Sequence, residues 1–119
     1  MDVKTASDLV PWARTEGQAL IVGVKGEIDL HNSPELRTEV LDLIVKHPSL
    51  RVVMDLTLVP YMDSSACAVL VEALRRVRAG GGRVFLVGLQ PRVKSLLEIA
   101  RLGSIFVIAA DEAAALAVK

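Results

Sequence analysis

At 119 residues the chain is long enough for one domain, residues 1–119, with an ordinary buried core. Its 14 basic and 14 acidic side chains cancel, which removes any net field toward nucleic acid or an anionic membrane, and no direct nucleic-acid partner is expected. Apolar residues reach 52%, yet charges or glycines interrupt every run, and Ala19–Val24 is far short of the roughly 20 residues of a spanning helix, so no membrane insertion is expected.

Along the chain, Asp8–Arg14 reads as an edge strand, with Pro11 tolerable only at an edge. "TEGQ" is a turn, and "ALIVGVKGEID" is a strand whose glycines indicate close backbone approach or a bend. "HNSPELRTEVLDLIVKH" opens a helix: Ser33 suits the cap, Pro34 the first helical position and Glu35 the positive end. Leu36, Val40, Leu43 and Ile44 form its apolar stripe. "LRVVMDLTLV" is a strand apolar almost throughout, as expected when both faces are covered.

A second helix is expected from about Ser64 to Ala79, closed by Arg75, Arg76, Arg78 and "GGG". "RVFLVGL" is a further strand, "PRVKSLLEIARLG" a helix ending at Gly103, "SIFVI" a last strand, and "DEAAALAVK" a helix capped by Asp111. Strands alternating with helices predict an α/β fold: a mixed, mostly parallel sheet with helices packed against it, its N-terminal strands antiparallel and its crossovers right-handed.

Catalytic and metal chemistry are absent from the pattern. His31 and His47 have no cysteine or carboxylate at metal spacing, and no metal or other cofactor is expected. A triad of Ser64, His31 and Asp29 lacks the G-x-S-x-G elbow. "AGGGRV" follows a helix and precedes a strand, the reverse of a phosphate loop, so it reads as a helix end. An enzyme is therefore not expected. The N-terminus lacks the basic-then-apolar layout of a secretion signal, and the lone Cys67 suits a reducing compartment; both fit a cytoplasmic domain.

The chemistry-bearing stretch is "VPYMDSSACAVLVEAL", where one acid and two hydroxyls separate two apolar runs. It lies at a strand's C-terminal end, the edge where ligands gather in open α/β sheets. Asp63 suits the N-cap, accepting from the amide of Ser65 or Ala66, which leaves the Ser64 hydroxyl exposed at the first helical position. Two readings stand: capping alone, or a switch in which a phosphoryl group on Ser64 adds about −1.5 to −2 charges. Cys67 reads as a small hydrophobe against the sheet, or as a thiol activated near a helix start. Asp55 reads as a satisfied structural group, and Arg75, Arg76 and Arg78 as a solvated helix end or a contact for an acidic partner.

The run from "VVMDLTLVPYMDSSACAVLVEALRRVRAGGGRVFLVGLQPRVKSLLEIARLGSIFVI", preceded by "VKGEIDLHNSPEL", resembles the STAS domain family, the fold of anti-sigma factor antagonists and of sulfate-transporter tails. The stand-alone length resembles the antagonist branch. That resemblance implies a protein-binding module for an anti-sigma factor that is also a serine protein kinase. Binding would occur when Ser64 is unphosphorylated, release when it is phosphorylated, with a phosphatase to reset the switch. It also implies that Ser65 shapes the site, that Asp63 precedes the acceptor and that Asp29 lies near the partner surface. Together with Ala66 these are the expected partner-binding residues. The family usually continues "DSSGLG"; Ala66, Cys67 and Ala68 stand here instead, and alanine for glycine raises helix propensity by about 1 kcal/mol per site. The alternatives are a STAS subunit of a lipid or anion ABC-type transporter complex, or a small-ligand or nucleotide-binding domain using the helix start as an anion site. Monomer or dimer is not specified by the sequence.

Overall fold

A computed structural model describes all residues, 1–119. Its strands are β1 (Asp2–Val3), β2 (Trp12–Glu16), β3 (Ala19–Lys25), β4 (Arg51–Leu58), β5 (Arg83–Val87) and β6 (Val107–Ala109). Its helices are α1 (Ser33–Lys46), α2 (Ser64–Ala79), α3 (Pro91–Ile99) and α4 (Glu112–Ala117). One six-stranded sheet holds them in the order β1-β2-β3-β4-β5-β6. β1 and β2 run antiparallel to their neighbours, and β3 through β6 are parallel. The mixed, mostly parallel α/β sheet expected from the sequence is thus present.

The strand order follows the chain order, so crossovers of one hand lay α1, α2 and α3 on the same face. The main core sits between them and the sheet: Leu20, Val22, Val52, Met54 and Leu86 meet Leu36 and Val40 of α1, Leu70 and Leu74 of α2, and Val93 and Leu97 of α3. The other face carries Ala19, Ile21, Val53, Phe85 and Val87, covered by Ala115 of α4 with Trp12 and Leu116 alongside. This accounts for a β4 apolar on both sides. Arginines tie α4 down: Arg51 donates to the Ala115 carbonyl at 3.1 Å, Arg83 to that of Lys119 at 3.2 Å, and Arg14 pairs with Glu112. Arg51 and Arg83 also lie over the Phe85 ring, 5.5 and 5.3 Å from its centre.

Several boundaries differ from the sequence pattern. The N-terminal strand begins at Trp12, after Pro11, and β1 pairs on its outer side, so β2 is not the sheet edge over its whole length. Asn32, not Ser33, occupies the cap of α1; Ser33 is buried, and the Asn32 side chain turns back to the Asp29 amide and the Glu27 carbonyl instead of capping. The third helix stops at Ile99, short of Gly103, because Arg101 takes a left-handed conformation (φ 59°) and the Leu102 amide reaches back to the Leu97 carbonyl. The following turn delays the last strand to Val107.

Close approach explains two glycines. A Cβ at Gly23 would fall 2.2 Å from the Trp12 ring, and one at Gly88 (φ +69°) would fall 2.1 Å from Thr57 Oγ1 and 3.2 Å from its Cα. Gly17 has a similar φ of +61° with open space around it. In chemical denaturation, Gly17→Ala is expected to lose about 1 kcal/mol, the cost of the left-handed backbone, whereas Gly88→Ala should lose about 2–3 kcal/mol, since contact with Thr57 adds to that cost. Equal losses would show that crowding at Gly88 is relieved without strain.

Candidate functional site

The site is built where β3 and β4 hand over to α1 and α2, at the C-terminal edge of the parallel strands. Beyond a register shift between Gly23 and Lys25, the two strands are rejoined by a parallel bridge pairing Ile28 with Met62. The Ile28 amide donates to the Tyr61 carbonyl at 3.1 Å, and the Asp63 amide to the Ile28 carbonyl at 3.0 Å. Both bridging side chains are buried in the core. The two loops are therefore fixed against each other, which brings Asp29 and Asp63 to one edge.

Asp63 caps α2. Its Oδ1 accepts from the Ser65 amide at 2.9 Å and from the Ser65 hydroxyl at 2.5 Å. The Ser65 hydroxyl foremost holds the Asp63 carboxyl below its ordinary value; desolvation opposes it, and the amides of Ser65, Ala66 and Leu30 add to the lowering. Ser65 is thus the hydroxyl that completes the cap. Ser64, first residue of the helix, is exposed, and the Asp63 carboxylate is engaged by its neighbour instead.

Asp29 organises the other loop. Its Oδ1 accepts from the His31 amide at 2.9 Å and the Asn32 amide at 3.3 Å, while its carbonyl receives the Ser33 amide at 2.8 Å. Its carboxylate remains partly exposed, with the His31 ring 3.7 Å away. Leu30 beside it is 72% exposed, an apolar side chain left in solvent on the same edge. Ala66 differs from its expected place among contact residues: at 1% exposure it packs beneath the site and offers no surface. A helix that begins at Ser64 turns its third residue inward to the sheet, so Ala66 supports the frame. Cys67 is buried as well; desolvation and then the Asp63 charge push its thiol above the ordinary value, opposite to the shift an activated thiol needs. Asp55 accepts from the amide and hydroxyl of Thr57, at 2.9 and 2.5 Å, as a satisfied structural group.

Sequence reasoning missed one wall of the site. A shallow groove of about 600 Å³ runs from Tyr61 and the Asp63–Ser64 joint along α3, where Arg92 at the start of the helix and Leu96 and Ile99 further along it line the groove. The Arg92 guanidinium lies 4.7 Å from the centre of the Tyr61 ring. The available signal was topological: "QPRVK" follows a parallel strand as "MDSS" does, so both helices start on one edge of the sheet.

The STAS domain model matches residues 11–115, and the chain belongs to the STAS domain family. It is 35% identical over 89 residues to the anti-sigma-B factor antagonist of Bacillus subtilis, covering 75% of this chain and 80% of that one. Among solved structures, a Thermotoga maritima protein of 21% identity matches with a TM-score of 0.83 over 92% of both chains. The anti-sigma factor antagonist SpoIIAA matches in its unphosphorylated form at a TM-score of 0.73 and 21% identity, over 86% of this chain and 90% of that one. Its phosphorylated Bacillus form matches at 0.65 and 20%, over 86% and 93%. No helix is long and apolar enough to cross a membrane.

The depressed Asp63 carboxyl has a readable consequence. A group whose folded pKa lies below its unfolded value contributes stability above the unfolded value, about pH 3.9, and loses it as pH falls through the folded one. Ser65→Ala should raise the Asp63 carbon-13 titration midpoint toward the ordinary carboxylate value. The stability gap between wild type and Ser65→Ala should then narrow on acidification below about pH 4. An unmoved midpoint would show that the backbone amides alone hold the carboxylate.

Proposed function

We propose that this chain is an anti-sigma factor antagonist, a protein-binding module and not an enzyme, working in the cytoplasm. Unmodified, it binds an anti-sigma factor that is also a serine kinase, and so frees a sigma factor. The kinase transfers the γ-phosphoryl group of its bound ATP to Ser64 Oγ, ADP departs, and the hydroxyl proton passes to the kinase's base. Phosphorylated, the module lets go, and a phosphatase hydrolyses the ester to restore it.

One observation carries this reading: Ser64 is exposed at the first position of a 16-residue helix, directly after its capping aspartate. Three physical features support it. A phosphoryl group there sits at the positive end of α2, where an anion gains about 0.3–1 kcal/mol, so the fold tolerates the modification. Asp63 already accepts from Ser65, so the cap does not need the Ser64 hydroxyl. The surrounding edge offers a partner the partly exposed Asp29, the exposed Leu30 and the groove at Tyr61. The new charge then enters the partner contact beside Asp63, where stripping water from an added, unpaired anion disfavours the bound state.

The test uses intact mass after incubation with serine kinases of the source genome and ATP. A gain of one phosphoryl group, lost in Ser64→Ala, is the expected result. Ser64→Glu is expected to weaken binding to the anti-sigma kinase by about tenfold or more, equivalent to 1.4 kcal/mol per decade. A Ser64→Glu protein that binds as tightly as wild type would overturn the reading.

A further inference from the structure

We infer that Arg92 is a built-in clamp for the phosphorylated form: once Ser64 carries a phosphoryl group, the Arg92 guanidinium leaves the Tyr61 ring and pairs with it across the groove. This deepens the proposed switch and rests on that reading of Ser64. Arg92 and Ser64 line the same groove, at the starts of α3 and α2, and Tyr61 lines it too. No ion pair of the structure engages Arg92. Its contact is the face of Tyr61 at 4.7 Å, and both Arg92 and Ser64 are exposed. An exposed cation resting on an aromatic face is weakly held, whereas a guanidinium fork matches two phosphoryl oxygens with charge-assisted hydrogen bonds.

The other cations on or against α2 are placed elsewhere. Arg37 is held by Glu72, midway along the helix, through 2.8 and 2.6 Å bonds, and Arg75, Arg76 and Arg78 lie in its last two turns, away from Ser64. Asp63 is the anion beside the new group, and it opposes the second ionisation of a phosphate. Arg92 is the group that offsets it. Pairing also lays the Arg92 side chain across the groove whose apolar lining includes Leu96 and Ile99, the latter 81% exposed. The modified module would hide part of its own groove as well as disfavour its partner.

The experiment places phosphoserine at position 64 by genetic incorporation, so that no kinase is needed, and follows the phosphorus-31 shift with pH. A free phosphoserine has its second pKa near 6. In the phosphorylated wild type this midpoint should lie about 0.5 unit or more below that of phosphorylated Arg92→Gln, as expected for loss of a nearby opposite charge. Arg92→Lys should restore part of the difference, and Lys94→Gln, which removes an exposed charge from the same helix, should titrate like wild type. Identical midpoints in wild type and Arg92→Gln, or an equal displacement in Lys94→Gln, would overturn the clamp. In parallel, phosphorylated wild type that binds the anti-sigma kinase as well as the unmodified protein does would overturn the release step, whatever the phosphorus titration reads.

Discussion

The short parallel bridge between Ile28 and Met62 governs the geometry of the whole C-terminal edge. β3 and β4 lose register at Gly23–Lys25, and without further pairing the two following loops would be independent. Two backbone bonds through Ile28 close that gap, and the buried side chains of Ile28 and Met62 fasten it to the core. A backbone donor or acceptor buried without a partner costs about 1–3 kcal/mol, so the bridge is strongly favoured over a splayed arrangement. From it follow the position of Asp63 at the head of α2 and the Asp29 turn that starts α1. The serine at the joint inherits its exposure from this scaffold.

Local chemistry was legible in the sequence wherever one residue acts on its own neighbours. Asp63 and Asp111 were readable as caps because a short carboxylate reaches an amide two or three residues ahead, and both do so. Ser33 was misread because its rival Asn32 is drawn backward into the Asp29 turn, a competition that spacing does not display. Gly103 was misplaced as a helix end since Arg101 adopts the left-handed conformation usually left to glycine. The wall at Arg92 and Tyr61 joins residues about thirty positions apart, and only the shared sheet edge links them. The same holds for α4, whose position on the opposite face depends on strand order and on Arg14, Arg51 and Arg83, none of them near it in the chain.

The departure at Ala66, Cys67 and Ala68 divides by environment. Ala66 and Cys67 are buried and Ala68 faces solvent, so two of the three changes bear on packing and one does not. Small side chains at the inward positions let the first turn of α2 lie close to the sheet, and alanine gives that turn a preference for regular helix. Ser64 is consequently displayed from a stiff frame.

Cys67 turns this stiffness into something directly observable. It is the chain's lone thiol, shielded directly below the serine joint and disfavoured as thiolate by its surroundings. A disulfide reagent reacts with it only during excursions in which the first turn of α2 peels from the sheet. The labelling half-life is therefore a native chronometer of site breathing, available without introducing any foreign probe.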